Sequence, residues 1–250
     1  MKVLAVYSIK GGVGKTATAV NLAYLAARSG RRTLLWDLDP QGASSFYLRI
    51  RPKVDKPRKL LRGKRPLADA VKGSDFEGLD MLPADPAYRR MDILLDEAKK
   101  PTIQLRRLVE QLEDDYELLI LDCPPSLTLV SENVFRAVDA MLVPVIPTPL
   151  SLRTLHQLLD FLAEEELGDV PVWPFYALAD RRKRLHQEIL DSKPDTRVPL
   201  LSTVIPYHSE VERMGLHRAP VAEYAGKSPA ATAYVALWRE VAERLRLTEA

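Results

Sequence analysis

Cysteine occurs once in the 250 residues, at Cys123. That excludes a disulfide framework within the chain and a cysteine-rich metal or iron–sulfur site built by one subunit. It points to a reducing, cytosolic compartment. No run of about 18 apolar residues is present, so no segment reads as membrane-spanning. The most apolar later stretch, 140–152, is broken by Pro144, Pro147 and Pro149. The short apolar stretch at the start runs straight into a glycine-rich loop, which reads as a strand and not as a signal peptide. Internal repeats and low-complexity segments are absent, and the formal net charge is only +2.

What is there suits one sizeable α/β core: 46% hydrophobic residues with 28% charged. The charge is unevenly spread. Across 49–65 the basic residues are Arg49, Arg51, Lys53, Lys56, Arg58, Lys59, Arg62, Lys64 and Arg65, with Asp55 the lone acid. A second cluster is Arg181-Arg182-Lys183-Arg184, while acid concentrates at 110–117 and 164–169. Such patches can bind polyanions although the total charge is near zero, or can be solvated loops and helix faces.

Strand and helix patterns alternate. Residues 2–8, 33–36, 79–82, 117–121, 141–146, 172–178 and 200–205 read as strands. Residues 15–29, 102–112, 151–162, 181–190 and 229–245 read as helices, with Gly30 as a stop and Pro229 at an early helical position. Segment 49–65, with its prolines and few apolar residues, reads as a basic, exposed insertion in a single domain, 1–250. Continuously apolar strands separated by helices predict a mainly parallel, twisted sheet covered on both faces. Ligands of such folds sit at the carboxyl ends of strands, which directs attention to the loops after Ser8, Trp36 and Leu121.

The first of these loops is Lys10-Gly11-Gly12-Val13-Gly14-Lys15-Thr16, between a strand and a helix. A phosphate chain needs converging backbone N–H donors and a positive point charge, and a helix N-terminus adds its dipole. The motif predicts an ATP site in which Lys15 meets the β- and γ-phosphates and the Thr16 hydroxyl ligates Mg²⁺. The usual loop has glycine five places before Gly14, where this chain has Ile9, and it opens instead on Lys10.

Lys-Gly-Gly-x-Gly-Lys-Thr resembles the deviant Walker A motif of the ParA/MinD family of ATPases, nearest the ParA (Soj-like) branch. The resemblance continues through Asp37-Leu38-Asp39-Pro40-Gln41-Gly42, Leu121-Asp122-Cys123-Pro124-Pro125-Ser126, Val204-Ile205-Pro206, Ala219-Pro220 and Gly226-Lys227-Ser228-Pro229. It implies a P-loop fold, with nucleotide contacts from Lys10, Gly11, Gly12, Val13, Gly14, Lys15, Thr16 and Ala17. It implies that Asp39 polarises the attacking water, that Asp37 lies near the Mg²⁺ shell, and that Thr16, Asp39 and Asp122 serve the metal. Lys10 is expected to cross a dimer interface to the partner's ATP, making Lys10, Lys15, Asp39 and Asp122 the catalytic set. Where relatives carry Ile-Pro-Arg-Asn, this chain has Ile205-Pro206-Tyr207-His208. Pro206 and His208 are the expected adenine contacts, with an ordinary loop histidine the other reading of His208.

For the ParA branch the resemblance implies an ATP-dependent homodimer bound non-specifically to nucleoid DNA. A ParB-like or other cargo adaptor stimulates its hydrolysis, positioning a plasmid, chromosome region or protein assembly. Arg181, Arg182, Arg184, Arg213, Arg218 and Lys227 are the expected DNA contacts, with the basic segment 49–65 as an addition peculiar to this chain, although Tyr207 replaces an arginine that relatives use. The alternative is a MinD-like membrane-surface ATPase; no membrane contact is expected, because the apolar face Leu237, Val241 and Leu245 suits core packing. A cluster-bearing reductase lacks its cysteines here, and an amidoligase-like synthase lacks an identifiable substrate pocket.

Overall fold

The computed structural model describes residues 1–98, 100–192 and 194–247. From the N-terminus it runs β1 (Lys2–Val6), α1 (Lys15–Arg28), β2 (Thr33–Asp37), α2 (Ala43–Tyr47), α3 (Pro57–Leu61), β3 (Lys72–Gly73), β4 (Leu79–Leu82), α4 (Met91–Asp96) and α5 (Gln104–Val109). It continues β5 (Leu118–Asp122), α6 (Leu129–Phe135), β6 (Ala140–Val145), α7 (Pro149–Glu164), β7 (Val172–Ala179), α8 (Arg184–Ser192), β8 (Val204–Pro206), α9 (Ser209–His217), α10 (Val221–Tyr224) and α11 (Pro229–Arg244). Among the described residues the strands form one eight-stranded sheet, ordered β3-β4-β2-β5-β1-β6-β7-β8. Every pairing is parallel except β3 with β4.

Alternate strand residues feed two cores. Leu34, Trp36, Leu119 and Leu121 join α3 to α7 on one face, while Leu35, Leu118 and Ile120 join α1, α9 and α11 on the other. This is why β2 and β5 are buried at every position: both of their faces are covered. Pro144 is tolerated within β6 because β1 pairs only as far as Leu142. Beyond that point β1 has turned into the glycine-rich loop, and the missing N–H has no ladder to serve.

Several expectations are corrected. Segment 49–65 is not simply exposed: Pro57–Leu61 is helical, and Val54, Leu60 and Leu61 are buried. Its few apolar residues are enough to anchor it. The helix expected over 102–112 is α5 between two short 3-10 turns. The helix expected over 181–190 starts at Arg184, because Asp180 holds the Arg182 N–H and guanidinium in a turn. The late strand is Val204–Pro206, not 200–205.

One buried amide ties the loop-bearing helix to the C-terminal third. Asn21 of α1 donates to the Ala17 carbonyl at 2.7 Å and accepts the Val221 N–H at 2.8 Å. Asn21→Ala would leave that buried N–H unpaired, which costs about 1–3 kcal/mol. Urea unfolding of the variant should show a lower midpoint with an unchanged slope; an unaltered midpoint contradicts this role.

Candidate nucleotide site

The loop after β1 takes its shape from glycine. Gly12 and Gly14 have φ of 71° and 92°, conformations that L side chains rarely adopt. A Cβ at Gly11 or Gly12 would meet nothing, so the loop leaves open space above it. Gly14 begins α1 without a side-chain cap, and no acid lies in the first turn. By contrast α7, α9 and α11 are capped by Thr148, His208 and Ser228. The first-turn N–H groups of α1 are thus left for an anion.

The two lysines of the loop point to different places. Lys15 is buried, and its ammonium donates to the Lys10 carbonyl at 3.0 Å. Burial lowers its pKa, opposed by Asp122, Cys123 and Asp39. The Lys10 ammonium instead donates to Ser151 Oγ at 3.2 Å, at the start of α7. Lys15 lines the cavity over the loop and Lys10 does not.

Beneath the loop the strand ends carry acid. Asp37 and Asp122 are register partners at the ends of β2 and β5, and both are fully buried. Asp37 Oδ2 accepts the N–H and hydroxyl of Ser45, at 2.9 and 2.8 Å, and its Oδ1 accepts the Asp39 N–H at 3.2 Å. Asp122 Oδ2 accepts the Ser44 hydroxyl at 2.6 Å, while Oδ1 is buried with no partner. Burial first, and then mutual repulsion with neighbouring carboxylates, raises both acids above the ordinary carboxylate range. The Ser44 and Thr16 hydroxyls and the Lys15 charge work the other way on Asp122. A buried acceptor left unpaired costs about 1–3 kcal/mol, more when charged. A hydrated divalent cation would satisfy it, and half-buried Thr16 brings its hydroxyl close enough to favour the Asp122 charge. The donor set therefore fits Mg²⁺.

Asp39 is half-buried at the cavity rim, with Oδ1 accepting the Gln41 N–H at 2.9 Å. The cavity itself is about 500 Å³. It runs from Gly11, Gly12, Gly14, Lys15, Thr16 and Ala17, past Asp39 and Tyr47, to Leu178, Tyr207, His208 and Glu212. Val13 is buried under the loop, and Pro206 ends β8 without lining the cavity. His208 Nδ1 accepts the Glu210 N–H at 3.2 Å, so a neutral ring carries its hydrogen on Nε2. The histidine has taken over a helix-capping task that suits asparagine.

Ser44, Ser45, Ser151 and Leu178 escaped the sequence reading. Two acids at buried strand ends need donors, and the pair Ser44-Ser45 following Gly42 was the available signal. Leu178 has φ of 53° at a register irregularity between β7 and β8, and its side chain faces Gly14; nothing in its apolar strand announced this.

The expected DNA contacts are mostly occupied within the chain. Arg182 grips both oxygens of Asp180, holding that carboxyl down at about 2. Arg184 pairs with Glu188 and Arg213 with Glu210. Arg218 donates to the Phe46 carbonyl and lies 4.7 Å over its ring. Among the described residues, only Arg181 and Lys227 of that set make no side-chain ion pair or hydrogen bond.

A family model described as an AAA domain matches residues 1–166. The sporulation initiation inhibitor protein Soj of Bacillus subtilis is 32% identical over 249 residues, covering 96% of this chain and 98% of the relative. The chromosome partitioning protein ParA of Caulobacter vibrioides is 32% identical over 255 residues, covering 98% and 96%. A crystal structure of cobyrinic acid a,c-diamide synthase from Mycobacterium smegmatis, with bound ATP analog and magnesium, superposes with a TM-score of 0.82 at 27% identity, covering 100% and 98%.

The acid pair makes a pH prediction. A carboxyl with a higher pKa folded than unfolded takes up protons on folding, so stability falls as pH rises from about 4 through the raised value. Nucleotide-free protein should lose stability across that window. Asp122→Asn, whose amide oxygen still accepts from Ser44, should flatten part of the loss. Urea midpoints from about pH 4 to pH 8 check this, and parallel curves for the two proteins contradict it.

Proposed function

The chain belongs to the ParA/Soj family of AAA-domain P-loop ATPases, and from that membership we propose that it is an ATP-switched positioning ATPase. It hydrolyses ATP to ADP and phosphate, pairs with a second copy of itself when ATP is bound, and rides on DNA without sequence preference. The observation that carries this reading is the coincidence, in one cavity, of an uncapped α1 N-terminus, buried Lys15, and the partnerless Asp122 oxygen beneath.

The chemistry asked of the residues is positioning and charge neutralisation. The first-turn N–H groups of α1 and the Lys15 ammonium receive the β- and γ-phosphates. The Thr16 hydroxyl, with Asp122 and Asp39, would hold Mg²⁺, which would supply neutralisation of the phosphate charge. Asp39, at the rim, orients and polarises the attacking water. Tyr207 and His208 receive the base, with His208 Nε2 as a hydrogen-bond donor.

Lys10 is left over from the chain's own phosphate cradle, and this favours the dimer. Its Ser151 hydrogen bond is charge-assisted, worth about 1.5–3 kcal/mol, so leaving for a partner's phosphate is affordable to the switch. ATP then shifts the population toward the dimer only through what γ-phosphate adds over ADP. The membrane-surface alternative loses support because the apolar face of α11, Leu237, Trp238 and Val241, is buried against the core. Among the described residues no helix is long and apolar enough to cross a membrane.

Phosphate release with Mg-ATP tests the reading. Lys15→Ala should lower turnover by about 10²-fold or more, and Asp39→Ala should do the same while retaining ATP binding. Lys10→Ala should remain a monomer in sedimentation with ATP. Unchanged turnover in all of these variants, or an ATP dimer of Lys10→Ala, would overturn the assignment.

A further inference from the structure

Resting on the reading that the cavity takes a nucleoside triphosphate, we infer that Glu212 selects its base. The carboxylate accepts from the 6-amino group of adenine and turns away the 6-oxo group of guanine, while His208 supplies the matching donor.

The cavity has two unlike ends. The glycine-rich loop, Lys15 and Thr16 form the phosphate end. The far end is lined by Tyr207 and Val211, with Tyr47 alongside, a surface suited to the face of a purine. Tyr207 is 45% exposed, so its ring is open for stacking. A nucleotide anchored by its phosphates lays its base along this end. Glu212 lines the same end and is exposed. A carboxylate beside a polyanionic ligand is repulsive unless it meets a hydrogen-bond donor. The donors of an adenine nucleotide are its ribose hydroxyls and its 6-amino group.

The hydrogen-bond pattern favours the amino group. His208 caps α9 and Glu212 follows four residues later, so the two side chains are neighbours on one face. His208 Nδ1 is taken by the Glu210 N–H, and a neutral ring then offers the cavity only its Nε2–H donor. An asparagine in that place could read adenine alone, donating to N7 and accepting from the 6-amino group. This histidine cannot accept, so the acceptor has to come from a neighbour. Glu212 is that neighbour. The Tyr207 hydroxyl donates to its Oε1 at 2.6 Å, which fixes the carboxylate and leaves Oε2 for the base. Among the described residues no cation pairs with Glu212, whereas Glu210 in the same turn is matched by Arg213.

Guanine reverses the pattern. Adenine presents an amino donor between the N1 and N7 acceptors, but guanine presents the O6 acceptor beside an N1–H donor. Against guanine, Glu212 sets lone pair against lone pair, and a carboxylate has no proton to offer. An isosteric amide would have one. It would keep the Tyr207 bond on its oxygen and place an amino group where the free oxygen stood. The α9 dipole also favours an acid in the first turn, but that attraction is blind to the base. Base preference therefore separates the two roles.

The test is equilibrium binding of N-methylanthraniloyl-ATP and its displacement by ATP, GTP, ITP and 2′-deoxy-ATP, all with Mg²⁺. Phosphate release from ATP and GTP is measured alongside. The proteins are wild type, Glu212→Gln and Glu212→Ala, with thermal midpoints to check that these exposed substitutions leave the fold intact. Wild type should prefer ATP to GTP by about 10–100-fold, the worth of a hydrogen bond to a charged group. It should reject ITP similarly, since ITP shares the 6-oxo group and lacks the 2-amino group. Glu212→Gln should lower the ATP-to-GTP ratio by about tenfold or more, with GTP bound more tightly than by wild type. Glu212→Ala should lower the ratio without changing the preference for ATP over 2′-deoxy-ATP. A wild-type ratio in Glu212→Gln overturns the base reading while leaving the ATPase standing. So does wild type that binds ATP and GTP alike, or a loss confined to the 2′-deoxy-ATP comparison, which would assign Glu212 to the ribose. Wild type that binds none of these nucleotides overturns the nucleotide site and the inference with it.

Discussion

Two carboxylates are buried side by side where β2 and β5 end, and much of the molecule is arranged around making that tolerable. Asp37 is satisfied from within, by Ser45 and the Asp39 backbone. Asp122 is satisfied on one oxygen only, by Ser44. Lys15, drawn into the interior with its own pKa lowered by burial, provides partial compensation. A buried charge of this kind costs several kcal/mol when left incompletely paired. On this account the residual cost sustains a strong preference for a bound cation, and the cation brings the phosphate chain.

The same corner explains why short, unremarkable elements matter. Helix α2 is one turn and a fraction, too short to be stable alone. It exists because Ser44 and Ser45 are the donors that the two acids require, and because Gly42 can take φ of 69° to start it. This turn reaches the basic segment, since Ser45 Oγ holds Ala84 and Asp85 holds Val54, while Asn21 of α1 separately holds Val221. The phosphate end and the basic segment therefore share one hydrogen-bonded series, and α1 is tied to the C-terminal third by another.

The sequence made much of this legible where chemistry demands a residue type at a fixed spacing. Glycines with positive φ at 12 and 14, a lysine and a hydroxyl at the start of α1, and acids closing apolar strands all follow from local order along the chain. What escaped was decided by tertiary contact. Ser151 becomes a partner for Lys10 only because β6 and β1 are neighbours, and Leu178 enters the cavity through an irregular register with β8. Segment 49–65 reads as solvent-exposed chain because it carries prolines and few apolar residues, yet Val54, Leu60 and Leu61 suffice to fasten it. Nor does the sequence reveal which carboxylate lies opposite an arginine, as at Arg182, Arg184 and Arg213, whereas Arg181 and Lys227 have none among the described residues.

The central claim is that Mg-ATP completes the charge balance at Asp122. Proton exchange during Mg-ATP binding measures this directly, by titration calorimetry in buffers of different ionisation enthalpy. Acids raised by burial hold protons in the nucleotide-free protein just above the ordinary carboxylate range and must give them up when a cation arrives. Net proton release in that pH range, diminished in Asp122→Asn, is the predicted result. Binding without release, or with release equal in the two proteins, would contradict the account.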